Sequence, residues 1–183
     1  LFTPLGIEAA ALNGQSVLFL IEANPGPGLG VLAAYLFFGS KRNRTNAAAS
    51  VFVQAIGGIH EVYFPFVLLD PWVLLGPIVG GFSGTLIFQF LGVGLRAPAS
   101  PGSILAILLN TPPSMILGVL AGIVVSTVVS FAIASVLLKR KSNTENEERK
   151  MPKMKKVTEI VVACDAGMGS SAIGASILKK QLQ

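Results

Sequence analysis

The first 138 residues form apolar blocks divided by short polar or proline- and glycine-rich stretches. Residues 14–38 are apolar on both sides of Asn24-Pro25-Gly26-Pro27-Gly28. Each proline there removes an amide donor and clashes with the preceding turn, so the pattern predicts a helix broken in its middle. The stretch 39–46 carries three cations and no anion, and reads as a polar loop. Residues 47–70 are apolar again but interrupted by Gly57-Gly58 and by His60-Glu61. Residues 72–95 predict a spanning helix, rich in glycine, with a kink expected at Pro77. Residues 97–113 contain Pro98, Pro101, Pro112 and Pro113 and predict a re-entrant or broken segment. The cleanest block is 114–138, about 37 Å long at 1.5 Å per residue.

Past Leu138 the pattern changes. Residues 139–156 hold 8 cations and 3 anions and read as a charged linker. The stretch from Glu159 to Ala163 then reads as a β-strand that delivers Cys164 to the turn Asp165-Ala166-Gly167-Met168-Gly169-Ser170-Ser171. A helix follows, with Ser170 or Ser171 as its N-cap and Ile173, Ile177 and Leu178 as its buried stripe.

Charge sharpens this division. Residues 1–138 carry 8 of the 23 charged side chains, and 97–138 carry none. A helix needs roughly 20 apolar residues to cross the hydrocarbon core. The fold class expected is therefore an α-helical polytopic membrane protein with broken or re-entrant segments, followed by the first β-α unit of a truncated α/β domain. A soluble globule, a disordered chain and a disulfide scaffold are poor readings of the first three-quarters. The net charge of +5 does not call for nucleic acid, because the cations cluster beside a membrane span without interleaved aromatics. Positive loops stay cytoplasmic, which places 39–46 and 139–156 on one side of the membrane. Two full spans, 72–95 and 114–138, with two re-entrant pieces satisfy that count. The chain opens at Leu1 without a leader-like segment and closes soon after a new domain begins, so truncation at both ends is expected.

Two motifs carry candidate chemistry. The first is Gly57-Gly58-Ile59-His60-Glu61-Val62-Tyr63-Phe64-Pro65. An ionisable pair in an apolar segment costs roughly 2.5–3.5 kcal/mol per charge, and is tolerated mainly where it faces a cavity or ligand. A carboxylate accepts several hydroxyl protons at once, as a polyhydroxylated ligand requires. The alternative is a solvated pair at the membrane interface. The second motif is the Cys164 loop. Gly167 and Gly169 let successive amides point inward as an anion nest, with a helix N-terminus behind them. That field favours a thiolate, making Cys164 a candidate phosphocysteine. Its alternative is a buried structural cysteine beside an ordinary turn. No arginine lies in 157–178, so a phosphate carrier fits better than a phosphatase that clamps its transition state. Asn24–Gly28 and Ala99-Ser100-Pro101-Gly102, with Asn110 downstream, either offer backbone groups to a site or are hairpin tips packed inside the protein. No cluster has metal-ligand spacing, and no cofactor is implied.

Together these motifs resemble the mannitol-type enzyme II family of the bacterial phosphoenolpyruvate-dependent sugar phosphotransferase system. The Gly-Gly-Ile-His-Glu, Asn-Pro-Gly-Pro-Gly and Ala-Ser-Pro-Gly-Ser stretches are similar to its membrane (IIC) domain. Cys164-Asp-Ala-Gly-Met-Gly-Ser-Ser is similar to the phosphocysteine loop of its IIB domain. The resemblance implies a division into 1–138, the later part of IIC; 139–156, a cytoplasmic linker; and 157–183, the start of IIB. It also implies the bacterial inner membrane as location, with the IIB portion in the cytoplasm. A IIA phosphohistidine would charge Cys164; Glu61, with His60 nearby, would bind mannitol; the product would be mannitol 1-phosphate. A homodimer through IIC is implied as well. Two other classes are open on the residues alone. One is an ion-coupled secondary polyol transporter with a structural Cys164; the other is a polyol receptor that signals through the Cys164 loop.

Overall fold

The computed structural model describes residues 3–148, with side chains through Arg140. Apart from the last two residues of the final helix, these belong to one of the two units into which the chain divides, Leu1–Asn146. Helix α1 (Thr3–Asn13) closes on Gly14, whose φ of 75° and amide bond to Ala10 O end the helix. Ser16 then makes two backbone bonds with Leu95, at 2.8 and 3.0 Å, and its hydroxyl accepts from Leu18 N to cap α2 (Val17–Ala23). The chain breaks at Asn24-Pro25, as the prolines require, and resumes as α3 (Gly26–Phe38). Pro27 is tolerated in the first turn of α3 because the amide it lacks would have no helical partner there.

The polar stretch 39–46 differs from expectation. It opens helix α4 (Lys41–Ala55) instead of forming a loop. Ser40 accepts from Asn43 N as the cap, and Arg44 donates to Gly39 O and Phe37 O, both at 2.9 Å, closing the end of α3. Beyond Gly57-Gly58 come a 3-10 turn (His60–Tyr63), the short α5 (Phe64–Leu69) and a second 3-10 turn (Pro71–Leu74). Helix α6 (Leu75–Phe90) follows. Pro77 lies in its first turn, where there is no intrahelical bond to lose, and α6 runs unbroken through it. It also stops short of the expected limit, because Leu95 pairs with Ser16. Helix α7 (Ile104–Asn110) is about 10 Å long, too short to cross a bilayer. Helix α8 (Ile116–Glu148) continues well into the stretch expected to be linker.

Among the described residues, three helical stretches have the length and composition to cross a membrane: Val17–Phe38, Pro71–Phe90 and Pro113–Arg140. The first is the broken α2–α3 pair. Their packing fixes their directions. Going down α8, Gly122 meets Phe88, Ser126 meets Gly84 and Gly80, and Ala134 meets Gly76, so α6 runs antiparallel to α8. Gly26 lies against Ser126 and Gly30 against Ser130, so α3 runs parallel to it. A Cβ on Gly30 would stand 2.5 Å from Ser130 Cβ, an approach that only glycine permits.

This packing also sets depth. Ser126 is about 15 Å along α8 from Ile116 and about 20 Å from Lys139, so the α2–α3 break lies near the middle of the span. One apolar cluster, including Phe19, Leu20, Phe88, Val119 and Ile123, fills the side towards Ile116. Another, including Val31, Leu32, Tyr35, Phe66, Ala134 and Leu138, fills the side towards Lys139. Between them runs a polar seam. Asn24 Nδ2 donates to Ser126 Oγ (3.2 Å), and Ser130 Oγ donates to Pro27 O (2.7 Å). Asn24 Oδ1 accepts from Gly26 N (3.0 Å), so every polar atom of the Asn24 amide oxygen and nitrogen pair is used at the break. Such internal satisfaction is what non-helical backbone needs inside a bilayer.

Candidate functional site

A cavity of about 550 Å³ opens where three interrupted segments meet, within the roughly 300–1,000 Å³ usual for small-molecule sites. The end of α2 contributes Glu22 and Ala23; the turn after α4 contributes Gly58, His60 and Glu61; the segment before α7 contributes Pro98 to Gly102. Thr3 and Phe19 complete the lining.

Each charged group arrives by a local rule. Gly58 has φ 72° and turns the chain out of α4, with its amide bonded to Gln54 O (3.1 Å). A Cβ there would stand 2.5 Å from Ser103 N and 2.8 Å from Gly102 N, so the turn sits flush against the loop before α7. His60 reaches across the same contact: its Nε2–H donates to Gly102 O at 3.0 Å. A carbonyl can only accept, so this bond needs the proton on Nε2; in that neutral tautomer Nδ1 is an acceptor. Ser103 caps α7 by accepting from Ala106 N (3.1 Å), holding that loop from its far side. Glu61 is exposed to the cavity. Glu22 lies in the same lining and accepts from Thr3 Oγ1 (2.9 Å). The cavity is thus lined by two carboxylates, an imidazole and the hydroxyls of Thr3 and Ser100, beside the apolar Phe19 and Ala23. That donor and acceptor set suits a ligand with many hydroxyl groups and no large apolar surface.

His60 and Glu61 both line this cavity. The Ala99–Gly102 stretch joins them, while Asn110 does not: its amide donates to Ala106 O (2.8 Å) on its own helix. Asn24–Gly28 is packed inside as an elbow, its Pro25 and Pro27 carbonyls engaged by Gln54 and Ser130. Glu22 was not foreseen, although it meets the criterion that singled out Glu61. It is an ionisable residue inside an apolar run, beside a helix break. Cys164 and the loop Asp165, Ala166, Gly167, Met168, Gly169, Ser170 and Ser171 lie outside the described residues, as does the expected β-α unit.

The whole chain aligns at 47% identity with the mannitol-specific EIICB component of the phosphotransferase system from Geobacillus stearothermophilus. It aligns at 48% with the mannitol-specific EIICBA component of Pasteurella multocida and at 43% with that of Escherichia coli K12. The chain is homologous, end to end, to mannitol-specific enzyme II components. It spans 44% of the Geobacillus protein and 32% of each of the other two, less than half the length of any of these relatives. No family model and no solved structure matches it. Homology and the three membrane-capable stretches among the described residues together support a membrane protein. The relationship covers the cavity-forming segments and the Cys164 motif alike, since all of the chain is aligned.

Proposed function

We propose that this chain is the later part of a mannitol permease, whose cavity binds mannitol for translocation and for phosphorylation by a phosphocysteine at Cys164. The observation that carries the reading is the convergence of Glu22, His60 and Glu61 on one cavity at the α2–α3 break. Sites of this kind, near the bilayer midplane and beside discontinuous helices, are where transporters hold their substrates. Glu61 and Glu22 accept hydroxyl protons of the hexitol, and His60 Nδ1 offers a further acceptor.

In the complete protein a IIA phosphohistidine transfers its phosphoryl group to the Cys164 thiolate: the S–P bond forms as the histidine N–P bond breaks, returning a free imidazole. A terminal hydroxyl of bound mannitol then attacks that phosphorus. The O–P bond forms as the S–P bond breaks, the hydroxyl proton is lost, and mannitol 1-phosphate leaves a regenerated thiolate. Phosphorylation changes the substrate chemically, so accumulation requires no ion gradient. The reading includes the bacterial inner membrane, with 139–183 on the cytoplasmic side, and a homodimer through the membrane domain.

The decisive experiment uses the full-length protein in membrane vesicles with phosphoenolpyruvate, the general phosphotransfer proteins and a IIA donor. Mass spectrometry of the Cys164 peptide is expected to show phosphate that a mannitol chase removes. Cys164→Ser is expected to abolish the label, and Glu61→Ala to block its discharge but not its formation. Uptake of unmodified mannitol without any label on Cys164 would replace this reading with secondary transport.

A further inference from the structure

We infer that Gln54 is a positioning residue for the hexitol site: it sets the spacing between the segment bearing Glu22 and the segment bearing His60 and Glu61. The inference rests on the proposed polyol site but not on the phosphotransfer step. Gln54 is outside the cavity lining and only 1% exposed, on the last turn of α4. Its Nε2 donates to Pro25 O at 2.8 Å, three residues past Glu22. Its backbone carbonyl accepts from Gly58 N, two residues before His60. Gly58 in turn lies flush against Gly102 and Ser103, the third wall of the cavity. One residue therefore joins the elbow, the glycine turn and, through that turn, the loop before α7.

The bonding of Gln54 is a poor arrangement for stability alone. Pro25 O already accepts from Leu29 N at 3.0 Å, so it would not be orphaned without the amide. Gln54 Oε1 is buried and has no partner, and an unsatisfied buried acceptor is costly. An apolar side chain of similar length would avoid that cost and still fill the volume. Buried unsatisfied groups call for a reason, and here the reason is geometric. The amide packs against Gly28, where a Cβ would stand 2.7 Å from Gln54 Oε1 and 2.5 Å from the Tyr63 ring. So held, it fixes the distance from the elbow to the turn to within one hydrogen bond.

The test compares wild type with Gln54→Met, which keeps length and loses the donor, and Gln54→Ala, which loses both. Binding of radiolabelled mannitol and glucitol is measured with the full-length protein in vesicles, alongside thermal stability and phosphate labelling of Cys164. Gln54→Met is expected to retain stability and labelling while mannitol binds about tenfold more weakly. Its preference between the two epimeric hexitols is expected to shrink at least threefold, because a misplaced pair of carboxylates reads stereochemistry less well. Wild-type affinity and preference in Gln54→Met overturn the inference. So does a loss equal for both hexitols and matched by the loss of folded protein, which marks a structural role only. Failure of the wild type to bind either hexitol removes the polyol reading itself, a result distinct from both.

Discussion

His60 donates its Nε2–H to the carbonyl of Gly102, forty-two positions away, at 3.0 Å. The bond ties the turn that bears His60 and Glu61 to the loop before α7, and both segments line the cavity. His60 thereby has two parts to play, one nitrogen holding a loop and the other available to a hydroxyl. His60→Gln is expected to retain the loop contact through its amide and to lose about tenfold in mannitol affinity. His60→Ala, which loses both, is expected to lose up to about 100-fold, since two hydrogen bonds of about 0.5–1.5 kcal/mol each are removed. Equilibrium binding to the full-length protein in vesicles checks both, and equal losses would contradict the division of roles.

Glu22 and Glu61 line the same cavity from different segments, so they are expected to act on one ligand. Each Gln variant keeps shape and removes charge. Glu22→Gln and Glu61→Gln are each expected to weaken mannitol binding about 10- to 100-fold, with Cys164 labelling by the IIA donor unchanged. The double variant is expected to fall short of the product of the two losses, since both side chains share a ligand and groups in one network are not additive. Full additivity in a binding cycle would place them at independent sites.

Legibility followed the range of each interaction. The breaks at Asn24-Pro25 and Gly57-Gly58 were readable because proline and glycine act on their own backbone. The spans near 72–95 and 114–138 were readable because apolar length alone decides them. The helix at Lys41 was not, because its three cations resemble a loop until Ser40 and Arg44 are seen capping two helix ends at once. Glu22 was hidden by its apolar neighbours, whereas Glu61 had His60 beside it. Gln54 was wholly illegible: its bond to Pro25 spans twenty-nine positions and depends on the packing of α3 against α4.

Gly58 combines two constraints, and either alone would matter. Its φ of 72° costs an L-residue about 1–2 kcal/mol. A Cβ would also press on Gly102 and Ser103 amides, which are backbone and cannot rotate away. Gly58→Ala is therefore expected to lose more mannitol affinity than Gly57→Ala, whose site lacks the positive φ. Retention of wild-type binding by Gly58→Ala would show that the loop before α7 moves freely relative to the turn.

The serines of α8 give a prediction about the elbow itself. Ser126 accepts from Asn24, and Ser130 donates to Pro27 O, one helical turn apart on α8. Interhelical hydrogen bonds in membranes average about 0.6 kcal/mol, so Ser126→Ala and Ser130→Ala are each expected to lower stability only slightly. Ser130→Leu is different in kind. Gly30 and Gly80 both approach Ser130 closely, Gly80 to 2.7 Å for a Cβ, and a branched side chain there must push α3 and α6 from α8. Overpacking of this sort costs about 1–3 kcal/mol. Because α2 and α3 meet at the elbow, displacing α3 is expected to disturb the end of α2 that carries Glu22. Ser130→Leu is therefore expected to lose mannitol binding together with thermal stability in detergent, while Ser130→Ala keeps both nearly intact. A Ser130→Leu protein that melts earlier but binds mannitol as wild type does would show that the elbow is held independently of the α3–α8 contact.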